Sequence, residues 1–201
     1  MRAGRRYQTA AVIRHLSADD IDSASAILAA AGGPWLRIAF GRDATHGLRS
    51  LLCSGLGQDG VTTLVAAHAG DVLGVVRLRT LTPVRCKPIG PTTRRAQCAQ
   101  LLLGRGSLRP GEGYVESLAV STSARRTGIG GELIGASITA ARESGATELT
   151  AWVHRGNAAA LRLCARIGID RDPSSNYSAP LAYLLGMRAL RLTLTDIRPS
   201  G

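Results

Sequence analysis

A chain of 201 residues fits one compact domain, and a 45% hydrophobic content with only 3% aromatics leaves Ala, Leu, Val and Ile to fill the core. This composition excludes a disordered or collagen-like protein. Arginine carries almost all of the formal charge of +11, since Lys87 is the only lysine. An arginine-rich surface favours phosphate-rich ligands or acidic partners, although genomic base composition produces the same preference.

The cysteines and the N-terminal stretch indicate the cellular compartment of the protein. Cys53, Cys86, Cys98 and Cys164 form no CxxC pair and have no clustered histidines, which argues against a zinc site. The basic N-terminal stretch lacks the apolar run of a signal peptide, and no window is apolar enough to span a membrane. We therefore predict a cytoplasmic protein with reduced thiols, no metal and no membrane partner.

In chain order, the first predicted elements are a strand, two helices and a hairpin. "TAAVIRHLS" predicts the strand, and Ser17 is a suitable N-cap for a helix that ends at Gly32-Gly33-Pro34. A second helix is expected within residues 42–52. Two β-rich runs over residues 61–80 flank Ala69-Gly70-Asp71 and predict a hairpin.

Residues 80–112 form a long connection that is basic and rich in proline. No acidic residue occurs from Val72 to Gly111, and "TTRRAQCAQLLL" inside the connection predicts a short helix. So long a connection in a compact domain is either functional or mobile. We divide the chain into a basic tail (1–8), one domain (9–194) and a C-terminal tail (195–201).

The second half of the domain alternates strands and helices. "GYVESLAVS", "TELTAWVHR" and "MRALRLTLT" predict strands, and "GGELIGASITAARESGA" and "NAAALRLCARIG" predict the helices between them. In the first helix Ile134, Ile138 and Ala141 share one face and Gly145 ends it, and Asn157 is the N-cap of the second. This order predicts a layered α/β domain with a parallel pair of strands.

The turn before the first of these helices, "RRTGIGG" from Arg125 to Gly131, combines positive charge with exposed backbone. The N–H groups at a helix start are unpaired and the helix dipole adds partial positive charge, so the turn suits a pyrophosphate group. A Walker loop would need a lysine here, and a Rossmann turn would need glycine in place of Leu133. A glycine-rich turn without a ligand is the alternative.

Arg125-x-x-Gly128-x-Gly130 resembles the Q/R-x-x-G-x-G/A motif of the GNAT family of N-acetyltransferases. "ESLAV" before it, "ELI" after it and "NAAALRLCARIGI" downstream are similar to that family's neighbouring segments. The resemblance extends over roughly residues 9–194 and is strongest from Gly113 to Ile169. It implies an α/β fold: a GNAT-like mixed, twisted sheet of about six to seven strands, with helices on both faces, splayed between strands 4 and 5.

The resemblance also implies acetyl-CoA as the co-substrate. Its pantetheine arm would enter the splay and pair with the backbone of the fourth strand, and its pyrophosphate would rest on the glycine turn. Asn157 would contact the cofactor as well as cap its helix. The implied cofactor-binding residues are Leu118, Ala119, Val120, Arg125, Arg126, Thr127, Gly128, Ile129, Gly130, Gly131 and Asn157.

The resemblance makes Glu116 on the fourth strand the candidate general base, because an ammonium acceptor must lose a proton before its nitrogen attacks the thioester. The alternative is an edge glutamate that only solvates the sheet or pairs with an arginine. Cys164 stands where many family members have the tyrosine that protonates the leaving thiolate; its alternative is a buried packing residue. Tyr177, Tyr183 or solvent could supply that proton instead. His154 is a candidate acceptor contact or a solvated loop residue.

The implied activity is transfer of an acetyl group from acetyl-CoA to a primary amine of a small molecule, peptide or protein, and a homodimer is compatible with it. The alternative is a non-catalytic CoA-binding module, or a basic module that binds nucleic acid or an acidic protein. The basic segment lacks interleaved aromatics, which makes nucleic acid the weaker partner. The cations of such a module would be Arg77, Arg79, Arg85, Lys87, Arg94, Arg95, Arg105 and Arg109.

Overall fold

The computed structural model describes residues 11–32, 44–80, 108–171 and 186–194. Within these ranges the strands are β1 (Val12–His15), β2 (Val61–His68), β3 (Asp71–Thr80), β4 (Glu112–Val120), β5 (Glu148–His154), β6 (Asp170–Arg171) and β7 (Met187–Thr193). The α-helices there are α1 (Ile21–Ala31), α2 (Ala44–Gly55), α3 (Ile129–Glu143) and α4 (Ala158–Ile167). Short 3-10 helices precede α1 (Ala18–Asp20) and follow β4 (Thr122–Ala124).

The described strands form one mixed sheet in the order β1-β2-β3-β4-β5-β7-β6. β1 to β4 pair antiparallel with their sequence neighbours, β4 and β5 are parallel, and β7 lies antiparallel between β5 and β6. The predicted hairpin is confirmed as β2 and β3, which are joined at Ala69-Gly70. The predicted mixed α/β sheet is therefore confirmed.

Helices cover both faces of the sheet because the side chains along each strand alternate between two cores. Val75 belongs to the core under α1 and α2, together with Leu28 and Leu52. Its neighbour Val76 belongs to the core under α3, together with Leu133. β3 and its partner β4 thus lie at the centre of the molecule, between two helical layers.

The start of the first helix differs in part from the sequence prediction, whereas the end of α3 agrees with it. The helix predicted after Ser17 starts as a 3-10 turn, and the Asp20 carboxylate accepts hydrogen bonds from the Ser17 backbone N–H at 2.8 Å and hydroxyl at 2.6 Å. α1 then begins at Ile21. α3 ends before Gly145, whose φ of 78° is left-handed, as predicted.

The arginines at the end of β3 correct one expectation. The strand extends through Thr80, as the hairpin prediction over residues 61–80 implies, so Arg77 and Arg79 lie in the sheet and not on a free basic surface. Arg77 is 0% exposed, and the Cζ of Arg79 lies 5.7 Å from the ring centroid of Tyr114. Two of the cations named for a basic binding module, Arg77 and Arg79, are therefore part of the folded sheet.

Several predicted segments lie outside the described residues. They include most of the long connection with its predicted helix, both tails, and the loop between β6 and β7. Among the helices in the described ranges, none combines the length and apolar character that a membrane crossing requires.

Candidate functional site

A gap opens in the middle of the sheet between β4 and β5. The parallel pairing joins Glu112–Val115 to Glu148–Ala151 and continues no further in the described residues. On the other side of β4, pairing with β3 runs on to Val120. The splay predicted between the fourth and fifth strands is therefore confirmed, and residues 116–120 have a strand partner on one side. An extended ligand could add to the open side as a further strand.

The gap begins at a β-bulge in β4. Arg77 pairs with Ser117 whereas the next residue, Leu78, pairs with Val115, so Glu116 is the extra residue of the bulge. A bulge bends its strand and increases the local twist. This distortion coincides with the point where β4 leaves β5.

The turn that follows β4 has an unusual backbone. Arg126 has a φ of 66° and Gly128 a φ of 101°, both in the left-handed region. The Thr127 hydroxyl donates to the Ala124 carbonyl at 2.6 Å, and the Gly131 amide donates to the Gly128 carbonyl at 2.8 Å. The turn is therefore held by its own hydrogen bonds, and the left-handed position at 128 explains why glycine is needed there.

The amides of this turn point to an anion site. Within the described part of the chain, none of the amides from Arg126 to Gly130 donates to a backbone acceptor. They surround the positive end of the α3 dipole, and Arg125 and Arg126 are exposed beside them. The diphosphate cradle stays a prediction, and the amide of Gly131 is already used inside the turn. The Nε of Arg125 donates to the Val120 carbonyl at 3.3 Å, so this arginine lies across the end of the gap.

α4 packs beside the glycine turn. The side-chain Oδ1 of Asn157 accepts from the Ala160 amide at 3.1 Å, which confirms the predicted N-cap and leaves the NH₂ group of the side chain as a donor. Leu163 lies against the glycine turn, because a Cβ at Gly130 would come within 3.3 Å of its Cδ2. The helix that follows β5 is therefore seated beside the cradle.

Glu116 is paired with a buried arginine. Its carboxylate forms an ion pair with the guanidinium of Arg77, and the two side chains are 11% and 0% exposed. The expectation that Glu116 pairs with an arginine is thus confirmed, and its role as a base stays a prediction. Sequence reasoning missed this role of Arg77 because it counted the residue only among the cations of a possible binding module. The available signal was an arginine inside the apolar run "VLGVVRL".

The other catalytic candidates differ in accessibility. Cys164 is 6% exposed in the same core as Leu133, and burial raises the pKa of its thiol. This environment favours the packing role. His154 is exposed, and its Nδ1 accepts from the Gly156 amide at 3.0 Å, which makes it part of the turn after β5. Tyr177 and Tyr183 lie outside the described residues. In the described ranges no group of three or more His, Cys, Asp and Glu side chains could hold a metal ion.

Comparisons with known proteins agree with this geometry. An N-acetyltransferase from Staphylococcus aureus Mu50 is 19% identical with a TM-score of 0.64, over 93% of this chain and 100% of that one. A ribosomal-protein-alanine N-acetyltransferase from Brucella melitensis is 20% identical with a TM-score of 0.59, over 90% and 99% of the two chains. The PaiA N-acetyltransferase from Thermoplasma acidophilum, in complex with coenzyme A, is 12% identical with a TM-score of 0.62, over 92% and 99%. A search of curated proteins finds no significant match.

At these identities the solved structures show a shared fold. The family itself is shown by sequence, because the model of the "Acetyltransferase (GNAT) family" matches residues 33–169, more than half of the chain. The matched segment includes the bulged strand, the glycine turn and α4. The chain therefore belongs to the acetyltransferase (GNAT) family.

Proposed function

We propose that this protein is an acetyl-CoA-dependent N-acetyltransferase that acts on a primary amine. The observation that supports this most directly is the gap beside residues 116–120, which leads to a turn whose amides from Arg126 to Gly130 have no backbone acceptor in the described part of the chain. Family membership and the N-acetyltransferases among its structural neighbours support the same reaction class. One of those neighbours was solved in complex with coenzyme A.

Different residues around the gap bind different parts of acetyl-CoA. The backbone of Leu118, Ala119 and Val120 pairs with the pantetheine arm, in place of the missing β5 partner. The amides of residues 126–130 bind the pyrophosphate, and the exposed side chains of Arg125 and Arg126 balance its charge. The NH₂ group of Asn157 donates to the arm from the other side.

Acetyl-CoA supplies the activated acetyl group as a thioester. Glu116 takes a proton from the ammonium group of the acceptor, directly or through a water, and the neutral nitrogen then attacks the thioester carbonyl. An amide N–H of β4 beyond the bulge stabilises the negative oxygen. The C–N bond forms, the nitrogen releases its second proton to solvent, the C–S bond breaks, and the CoA thiolate takes up a proton. Because Cys164 is buried, we assign that proton to Tyr177 or to solvent.

The proposal includes a cytoplasmic location and leaves the acceptor open. Cys53 and Cys164 are free thiols, as expected in a reducing compartment. The basic connection suggests an acceptor with an acidic group, although the phosphates of CoA also explain its charge. Loops decide the acceptor in a shared fold, so the donor follows from the sequence more directly than the acceptor does.

The donor site is tested by thermal shift with acetyl-CoA, which should raise the melting temperature of the parent protein. Gly128→Glu places a bulky acid at a left-handed position of the cradle and should abolish the shift. Gly145→Glu is the matched control, because Gly145 is also left-handed and has open space around it but lies at the other end of α3. Equal shifts in the two variants would contradict the cradle assignment.

The reaction is tested by release of free CoA across a panel of amines, peptides and amino acids. We expect release that depends on both acetyl-CoA and one class of amine. A protein that binds acetyl-CoA but releases no CoA with any amine would favour the non-catalytic binding module.

A further inference from the structure

Arg77 is the largest side chain that is completely buried in the described part of the protein. Its Nη1 pairs with Glu116, and its Nε and Nη2 are buried without a hydrogen-bond partner among the described residues. On the other side of the guanidinium lies the last residue of α2: a Cβ at Gly55 would come within 3.1 Å of Nη2 and 3.6 Å of Cζ. Arg77 therefore fills the space between the end of α2 and the bulge of β4.

Stability alone does not explain an arginine at this position. A buried guanidinium loses its hydration, and two nitrogens whose N–H groups lack acceptors add to that cost. Replacing a buried ion pair with apolar residues is often neutral or stabilising. The neighbouring strand residues, Val75, Val76 and Leu78, show that apolar side chains suit this part of the sheet. The arginine is best explained by what it does to Glu116.

We infer that Arg77 is a positioning residue that holds the Glu116 carboxylate at the bulge. The C-terminal end of α2 limits the movement of the Arg77 guanidinium. The guanidinium has little room to move because Gly55 and the sheet enclose it, and the carboxylate that it pairs with lies where β4 leaves β5. The C-terminal end of α2 also favours a cation through the helix dipole. The inference rests on the proposed function, in which Glu116 is the base.

Its test begins with three single variants in the CoA-release assay. Glu116→Gln should lower kcat by about 10²- to 10⁴-fold if Glu116 is the base. Arg77→Met should lower kcat by roughly 10- to 100-fold through misplacement of the carboxylate, with the KM for acetyl-CoA and the acetyl-CoA thermal shift unchanged. Arg77→Lys keeps the charge but loses the planar fork, and should fall between Arg77→Met and the parent protein.

Gly55→Ala perturbs the same contact without changing either charge. The added methyl group would lie 3.1 Å from Nη2 and 3.3 Å from the Cγ1 of Val61, so the guanidinium must move. Gly135→Ala is the matched control, since a Cβ there meets nothing within 4 Å. We expect a lower kcat for Gly55→Ala and parental kcat for Gly135→Ala. This variant decides the question if Arg77→Met does not fold.

The double variant Arg77→Met with Glu116→Gln separates positioning from a general structural role. If Arg77 acts through Glu116, its replacement should have no further effect on kcat once the carboxylate is gone. Full activity of Glu116→Gln would overturn the base in the proposed function. An inactive Glu116→Gln together with parental kcat in Gly55→Ala and in both Arg77 variants would overturn the inference alone. Loss of the acetyl-CoA thermal shift in Arg77→Lys and Gly55→Ala would also overturn it, by indicating a structural role.

Discussion

The Arg77–Glu116 pair and the glycine turn lie at opposite ends of residues 116–120, the second half of β4. They are built in different ways. The turn uses consecutive backbone amides, its charges are exposed, and all of its parts lie within Arg125–Gly131. The ion pair uses side chains 39 residues apart in sequence, and one of them is fully buried. Changes in the turn should therefore affect acetyl-CoA binding more than stability, whereas changes in the pair should affect stability and kcat and leave acetyl-CoA binding unchanged.

The largest effect on stability is expected when Glu116 is replaced by an apolar residue. Glu116→Leu leaves the guanidinium of Arg77 buried without its carboxylate, which should cost about 3–5 kcal/mol of unfolding free energy. The double variant Arg77→Met with Glu116→Leu removes both charges and should recover most of that loss. Urea unfolding followed by circular dichroism measures both. A single variant as stable as the double would show that the pair is not effectively buried.

Cys164 tests whether the core beside the glycine turn does more than pack. Its thiol is 6% exposed, so Cys164→Ala should cost about 0.5–3 kcal/mol of stability and leave kcat close to that of the parent protein. Tyr177→Phe is the companion variant for the other candidate acid. A loss of kcat in Cys164→Ala without a loss of stability would reinstate the thiol as the proton donor.

How far the sequence predicted this site depends on the distance between its parts. The turn, the Asn157 cap and the alternation of β4, α3, β5 and α4 were all predicted, because each depends on residues that are neighbours in the chain. The splay was predicted only through the family resemblance. The Arg77–Glu116 pair was not predicted as a pair, since it depends on the register of β3 against β4 and on the extra residue in the bulge. Neither is encoded in a local pattern.

The Asp20 carboxylate forms an ion pair with Arg14, which is close to it in the sequence, unlike the partners of the buried pair. Arg14 and the Ser17 hydroxyl and amide lower the pKa of Asp20 well below its usual range, mainly through the hydrogen bond from Arg14. A lowered folded-state pKa stabilises the protein above the unfolded value of about 3.9, and the stability is lost as the pH falls further. Asp20→Asn should cost about 1–2 kcal/mol at neutral pH, because Arg14 is partly exposed. The cost should shrink in unfolding experiments below about pH 3; a difference independent of pH would contradict this.

Asn157 allows the stability and binding roles of one side chain to be separated. Asn157→Ala removes the N-cap and should cost about 1 kcal/mol, and it should also weaken acetyl-CoA binding. Asn157→Asp keeps an oxygen for the Ala160 amide but removes the NH₂ donor, so it should retain stability and still lose acetyl-CoA affinity. Melting temperatures with and without acetyl-CoA distinguish the two. Parental affinity in Asn157→Asp would restrict the residue to capping.

The smallest effect is expected at Arg126, where the turn stores strain that the buried pair does not. A φ of 66° is unfavourable for a residue with a Cβ, and glycine adopts it freely. Arg126→Gly should therefore raise the unfolding free energy by about 0.5–1 kcal/mol, although it removes a positive charge from the cradle. Acetyl-CoA titration calorimetry should show weaker binding in the same variant, and more so at low salt. A variant that is more stable and binds acetyl-CoA as tightly as the parent would mean that the guanidinium does not contact the phosphates. The strain at this residue would then have no role in binding.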